Sequence, residues 1–160
     1  MNIEEKLVKA LTVKNMKIAS AESCTGGLIS ELITNVSGAS SVFECGICSY
    51  SNQIKMDVLH VQKSTIDTYT EVSIQCAEEM ALGVRDLANS DIAVSTTGVA
   101  GPTGGTEENP VGTVYVGFAT RDGVFAERKN FNEDNCNDRN TIRRRCAEYC
   151  LEKALEIIGE

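Results

Sequence analysis

The sequence contains no tryptophan, one histidine and only two prolines among its 160 residues. His60 has no acidic partner nearby in the chain, so we interpret it as a bystander or packing residue and not as part of a triad. The chain also lacks an apolar run long enough to cross a bilayer, and its amino end has no signal-peptide core. We therefore expect a cytoplasmic protein without a membrane partner.

Positive charge is scarce as well. The 15 lysine and arginine residues are outnumbered by 23 aspartate and glutamate residues, which gives a net charge of −8. Broad nucleic-acid binding requires a basic face, so we expect no nucleic-acid partner. An anionic ligand would have to be held by a few local groups.

Cysteine is present seven times, but its pattern does not indicate zinc or disulfides. The number is odd, and the single CxxC, Cys45 to Cys48, lies in an apolar run with the character of a strand. Free cysteine usually behaves as a small core hydrophobe. No cluster of His, Asp or Glu has metal-ligand spacing either, so we expect neither a metal nor another cofactor.

The apolar pattern alternates between strand and helix and then ends in a hairpin. Helical spacing predicts helices over 3–12, 28–37, 73–88 and 140–159, and short apolar runs predict strands over 17–21, 41–50 and 91–97. The run over 41–50 is apolar or small at most positions, which predicts a strand buried on both faces. Residues 111–120 and 124–131 predict an antiparallel hairpin. We expect one α/β domain over residues 1–160, layered α/β/α, with a mixed, mostly parallel central sheet.

The most informative turn joins the first strand to the next helix, with the sequence Glu22-Ser23-Cys24-Thr25-Gly26-Gly27. The free N–H groups at a helix start attract phosphate or a developing oxyanion, and glycine lets a ligand approach the backbone. Ser23 and Cys24 are then candidate nucleophiles, and Thr25 can cap the helix or donate to a ligand. The alternative is structural: Ser23 or Thr25 caps the helix, and the glycines only turn the chain.

Three further segments carry candidate groups. Tyr50, Asn52 and Lys55 follow the second strand at its carboxyl end, where open α/β sheets place ligands, although a lone lysine is also typical of a solvated surface. The glycine-rich loop 98–106 can wrap an anion or can be a plain turn, and it matches neither phosphate-loop nor dinucleotide spacing. Arginines at 139, 143, 144 and 145 begin the last helix, where the dipole disfavours cations, so they indicate either a phosphate contact or a solvated basic patch.

Three blocks together resemble one family. They are AESCTGG (21–27), YSNQIK (50–55) and TTGVAGPTGGTEENPVGTVYVGFA (96–119). These blocks are similar to those of the CinA C-terminal domain family, the nicotinamide-nucleotide amidases, and the resemblance extends over essentially the whole chain, including DRNTIRRR (138–145). It implies hydrolysis of the carboxamide of nicotinamide mononucleotide (NMN) to nicotinate mononucleotide and ammonia. Longer members have an additional N-terminal domain, whose activity we do not expect here.

The resemblance also implies roles for individual residues. It implies Ser23 as the nucleophile, Lys55 as its general base, and a nucleotide-binding role for Tyr50, Thr97 and one C-terminal arginine. The full substrate-binding set that we predict is Thr25, Gly26, Gly27, Tyr50, Asn52, Thr97, Gly98, Gly101, Arg139 and Arg143. Where the family has a compact Phe-x-Gly-Asp-Arg, this chain has FNEDNCNDR (131–139), so the phosphate contact stays open between Arg139 and Arg143.

A lysine can act as a base near neutral pH only if its pKa is lowered, so this mechanism predicts a buried Lys55. Cys24 is the competing nucleophile. Two other classes stay open: a nucleotide-binding or regulatory module without turnover, and an amidase or phosphoester hydrolase for another nucleotide. We expect a homo-oligomer of undetermined order.

Overall fold

The chain folds into five strands and six α-helices, and the computed structural model describes all residues from 1 to 160. In chain order they are α1 (Ile3–Lys14), β1 (Ile18–Glu22), α2 (Leu28–Thr34), β2 (Phe43–Cys48), α3 (Asn52–Leu59), α4 (Lys63–Tyr69), α5 (Ile74–Ala88), β3 (Ile92–Gly98), β4 (Thr113–Thr120), β5 (Gly123–Asn130) and α6 (Arg139–Ile157). Short 3₁₀ turns occupy Ala39–Ser41 and Glu133–Asn135. None of the helices is both long enough and apolar enough to span a membrane.

The five strands form one mixed sheet in the order β2-β1-β3-β4-β5. Strand β1 pairs in parallel with β2 and β3, whereas β4 pairs antiparallel with β3 and β5. The predicted α/β class and the predicted β4–β5 hairpin are therefore confirmed. The three parallel strands bring their carboxyl ends to the same edge of the sheet, and ligand sites of α/β folds form at such an edge.

Helices cover both faces of the sheet and give three layers. Helices α1, α2 and α6 pack on one face around Leu7, Ile33 and Leu151, and α3, α4 and α5 pack on the other around Met80 and Val84. Helix α5 packs directly on β4 at Gly117, where an added Cβ would come within 2.3 Å of the Ala77 carbonyl oxygen.

Strand β2 differs from its prediction. It spans Phe43–Cys48 and lies at an edge of the sheet, and its residues alternate between half-buried and exposed instead of being buried on both faces. Small apolar residues suggested a central strand, but β2 has a neighbour on only one side. Helix α2 also ends earlier than expected, at Thr34. Ser73 is the N-cap of α5, since its Oγ accepts from the Cys76 N–H at 3.2 Å.

Candidate active site

A serine and a lysine meet at the carboxyl ends of the parallel strands. Ser23 follows β1 directly, and its N–H donates to the carbonyl of Thr96 in β3 at 3.0 Å. Lys55 lies in α3, with its Nζ 3.0 Å from Ser23 Oγ, and it donates to the carbonyl of Ser49 at 2.9 Å. The lysine is only 1% exposed. The predicted burial of Lys55 is therefore confirmed, and its amine is within proton-transfer distance of the serine hydroxyl.

The surroundings of Lys55 favour its neutral form. Burial lowers its pKa because the ammonium loses hydration, and the nearby Glu71 and the thiols of Cys76 and Cys24 oppose this shift without cancelling it. A lowered pKa increases the fraction of free amine near neutral pH. The free amine has a lone pair that can accept the Ser23 proton.

A cleft of about 330 Å³ opens beside this pair. This volume is within the usual range for small-molecule sites. Eight of the predicted site residues line it: Ser23, Tyr50, Asn52, Lys55, Thr97, Gly98, Gly101 and Arg139. They come from three strand ends and from the start of α6, so the fold brings together segments that are far apart in the sequence.

Arg139 lies across one wall of the cleft. Its Nη1 donates to the Gly101 carbonyl at 2.7 Å, and its Nη2 donates to the Tyr50 hydroxyl at 2.8 Å. Gly101 has φ +76°, and a Cβ there would lie 2.4 Å from Val111 Cγ1, so this acceptor position requires glycine. A guanidinium has five N–H groups, which leaves Arg139 with donors for a ligand. It is the only arginine that lines the cleft.

The other arginines of this segment have partners elsewhere. Arg143 donates to the Thr25 carbonyl at 2.6 Å and does not line the cleft. Arg144 bonds to Glu148, and Arg145 donates to main-chain carbonyls of the preceding loop. Arg139 and Arg143 are therefore bonded to loops near the lysine–serine pair, whereas Arg144 forms an exposed ion pair within α6.

Glu22, to which the sequence analysis assigned no role, organises the turn. Its carboxylate is 1% exposed and accepts the N–H groups of Gly27 and Ile29 at 3.0 Å and of Ser30 at 2.9 Å. It also accepts from the Thr25 hydroxyl at 2.7 Å. The protein's own carboxylate thus occupies the anion-attracting start of α2. The sequence signal for this role is an acidic residue that ends a buried strand immediately before a helix.

This arrangement changes the interpretation of the glycine turn. The Gly26 N–H donates to the Ser23 carbonyl, the Gly27 N–H donates to Glu22, and Thr25 is fully buried. None of these three residues lines the cleft, and their place in the substrate-binding set stays a prediction. The capping alternative was wrong, since Gly27 is the N-cap and no hydroxyl caps α2. The N–H groups of Cys24 and Thr25 donate to no main-chain carbonyl, and of these two residues only Cys24 lines the cleft.

Cys24 and His60 are both poorly suited to catalysis. Cys24 is only 6% exposed, and burial, together with the neighbouring Cys146, raises the pKa of its thiol far above the usual value. A buried, protonated thiol is a weak nucleophile. His60 is exposed at the end of α3, in a left-handed conformation, and lies outside the cleft. Ser23 is therefore the better nucleophile on geometric grounds.

No group of three or more His, Cys, Asp or Glu side chains is arranged to hold a metal ion. All seven cysteines are free, and four of them, including Cys146 and Cys150, are buried in the core. Their predicted packing role fits this distribution. The expectation that the protein needs no cofactor stays a prediction.

The fold and the cleft define a three-layer α/β domain with a buried lysine next to a half-buried serine at the ends of its parallel strands. The model of the CinA C-terminal domain family matches residues 1–158. The chain belongs to this family.

Related sequences fall into two length classes. A competence-damage inducible protein of Thermoanaerobacter sp. (strain X514) is 50% identical over 150 residues, which are 94% of this chain and 35% of the relative. The nicotinamide-nucleotide amidohydrolase PncC of Enterobacter agglomerans is 46% identical over 147 residues, which are 91% of this chain and 87% of the relative. The chain thus spans about a third of the longer relative and most of the shorter one.

Solved structures show the same fold. A CinA superfamily protein of Klebsiella pneumoniae is 27% identical with a TM-score of 0.91, over 98% of this chain and 96% of that chain. A competence/damage inducible protein of Agrobacterium tumefaciens is 34% identical with a TM-score of 0.90, over 99% of this chain and 96% of that chain. The family and the fold inferred from the motif blocks are both confirmed.

Proposed function

We propose that this protein hydrolyses the carboxamide of NMN to nicotinate mononucleotide and ammonia. The observation that carries the proposal is the 3.0 Å approach of Lys55 Nζ to Ser23 Oγ inside a cleft that also contains Arg139. The 46% identity to a relative named nicotinamide-nucleotide amidohydrolase supports the choice of substrate.

The first half of the reaction forms an ester. Neutral Lys55 accepts the Ser23 proton while Oγ attacks the carboxamide carbon, which produces a tetrahedral intermediate. The N–H group of Cys24, which lines the cleft, stabilises its oxyanion. The intermediate then collapses, its C–N bond breaks, and the protonated lysine returns the proton to the departing nitrogen. Ammonia leaves, and the nicotinate group remains esterified to Ser23.

The second half of the reaction releases the product. A water molecule enters where ammonia left and gives a proton to neutral Lys55 as it attacks the ester carbon. The ester bond to Oγ then breaks, and Lys55 protonates the serine oxygen. The enzyme returns to its starting state, and the net reaction consumes one water molecule per amide.

Arg139 is the residue that we assign to the phosphate of the nucleotide, since Arg143 points to the turn backbone instead. We expect Arg139→Gln to raise the KM for NMN by roughly tenfold, because one charge-assisted contact to phosphate is lost. Turnover of nicotinamide riboside, which has no phosphate, stays within about twofold of wild type. Steady-state kinetics on both substrates measures this difference.

Arg143→Gln is the matched control for Arg139→Gln. Arg143→Gln removes the hydrogen bond to the Thr25 carbonyl, which can change the turnover of both substrates. We expect it to leave the ratio of kcat/KM for NMN to kcat/KM for nicotinamide riboside unchanged. If the preference falls in Arg143→Gln and not in Arg139→Gln, the phosphate assignment is wrong.

The experiment that tests the function is ammonia release from NMN by the purified protein without added metal, measured together with the pyridine product. We expect ammonia and nicotinate mononucleotide in equal amounts. Binding of NMN without ammonia would identify a binding module instead. Release of phosphate in place of ammonia would indicate a phosphoester hydrolase.

A further inference from the structure

The ionisable side chains that line the cleft have an uneven charge distribution. Glu71 is the only acidic residue among them, and Arg139 and Lys55 are the only basic ones. Arg139 contributes a guanidinium cation, whereas burial lowers the pKa of Lys55 and favours its neutral form. The cleft therefore offers one positive group and one negative group to a ligand.

The structure holds Glu71 by its main chain and leaves its carboxylate free. It lies in the link between α4 and α5, where its carbonyl accepts from Thr97 Oγ1 at 2.7 Å. Its carboxylate forms no hydrogen bond and no salt bridge within the chain. Its charge acts on Lys55, since it raises the pKa of that amine. Glu71 thus presents an uncompensated negative charge beside the lysine–serine pair.

An N-alkylated nicotinamide ring has a matching charge. Its ring nitrogen is a pyridinium cation, separated by one ring carbon from the carbon that carries the carboxamide. The phosphate is at the other end of the nucleotide. A carboxamide placed at Ser23 with its phosphate at Arg139 therefore puts the cationic ring in a cleft whose only acidic lining residue is Glu71.

We infer that Glu71 is a specificity-determining residue that selects the cationic pyridinium ring over an uncharged ring of the same size. This inference rests on the proposed function, and it narrows the substrate class to oxidised pyridinium nucleotides. Opposite charges inside a cleft attract more strongly than in water, so the pairing favours the pyridinium over its neutral dihydropyridine form. Thr97 is then a positioning residue, because its hydroxyl anchors the Glu71 backbone.

The test compares two ligands that differ in ring charge. Oxidised NMN has a pyridinium ring, and reduced NMN has a neutral dihydropyridine ring. Calorimetric titration into Ser23→Ala protein and into Ser23→Ala/Glu71→Gln protein measures binding without turnover. We expect Glu71→Gln to lower the affinity for oxidised NMN about tenfold and to leave the affinity for reduced NMN within about twofold of that without the substitution.

Two further variants in the same Ser23→Ala background make the result specific. Glu71→Asp keeps the charge, so it retains the preference for the oxidised form. Glu108→Gln removes a carboxylate that lines only the adjoining cavity of about 560 Å³, and it leaves both affinities unchanged.

The inference is overturned if Glu71→Gln lowers the affinities for oxidised and reduced NMN equally, or if it leaves the preference for the oxidised form unchanged. It is also overturned if Glu108→Gln lowers the affinity for oxidised NMN as much as Glu71→Gln does. Ammonia release by the wild type is a separate readout. If the wild type releases ammonia but the Glu71→Gln protein still prefers oxidised NMN, only the role of Glu71 is contradicted. A wild type that releases no ammonia contradicts the proposed function.

Discussion

Ser23→Ala and Lys55→Met each lower kcat/KM for ammonia release from NMN by about 10³-fold or more. Ser23→Ala removes the attacking oxygen, and Lys55→Met removes the only amine within 3.0 Å of it while keeping a side chain of similar length. Because the two residues act in one step, the double variant is little worse than either single variant. Initial-rate assays with an ammonia-coupled readout measure all three.

Cys24→Ala is the control for the nucleophile. The buried thiol plays no part in our mechanism, so this variant keeps turnover within a few-fold of wild type. Loss of activity in Cys24→Ala, together with an active Ser23→Ala, would transfer the nucleophilic role to the cysteine.

The pH dependence follows from the lowered pKa of Lys55. The base works only when it is neutral, so kcat/KM rises as the pH rises through a value below the usual lysine range.

The same lowered pKa of Lys55 affects the free energy of unfolding. The unfolded chain binds this proton more tightly than the folded protein does, so the fold loses stability as the pH falls from the unfolded pKa through the folded one. Lys55→Met, which removes the charge, is therefore more resistant to urea at pH 7, and the gain shrinks toward pH 10.

Glu22→Gln is expected to reduce kcat by roughly 100-fold with little change in KM, and to lower the free energy of unfolding by about 3 kcal/mol. The glutamine amide replaces one of the two acceptor oxygens with an NH2 donor, so either the Gly27 and Ile29 N–H groups or the Ser30 N–H group loses its acceptor. The turn that holds Ser23 then shifts, whereas the residues that line the rest of the cleft do not. Steady-state kinetics and urea unfolding measure the two effects.

Glu4→Gln makes the same chemical change at a buried carboxylate in α1, away from the site, and we expect it to leave kcat unchanged. Glu22→Asp keeps the acceptor oxygens on a shorter side chain and recovers part of the lost turnover. A Glu22→Gln protein with wild-type kcat would show that the carboxylate does not position the nucleophile.

The order of the strands and of α1, α2, α5 and α6 could be predicted from the sequence, because the apolar period is local to each element. The β4–β5 hairpin is a local feature of the same kind. The blocks around Ser23 and Lys55 were recognisable too, because short motifs keep their residue types and spacing. The sequence therefore determined the α/β class, the family and most of the residues that line the cleft.

The tertiary structure decided what depends on neighbours distant in the chain. The edge position of β2 follows from strand order, and no local pattern records which strands are adjacent. The burial of Lys55 and its approach to Ser23 depend on how α3 packs beside the end of β1. Only the fold shows that Glu22 closes the start of α2, and that Arg139, unlike Arg143, faces the cleft. Desolvation and hydrogen-bond geometry arise when separate segments pack, and these two effects set the chemistry of the site.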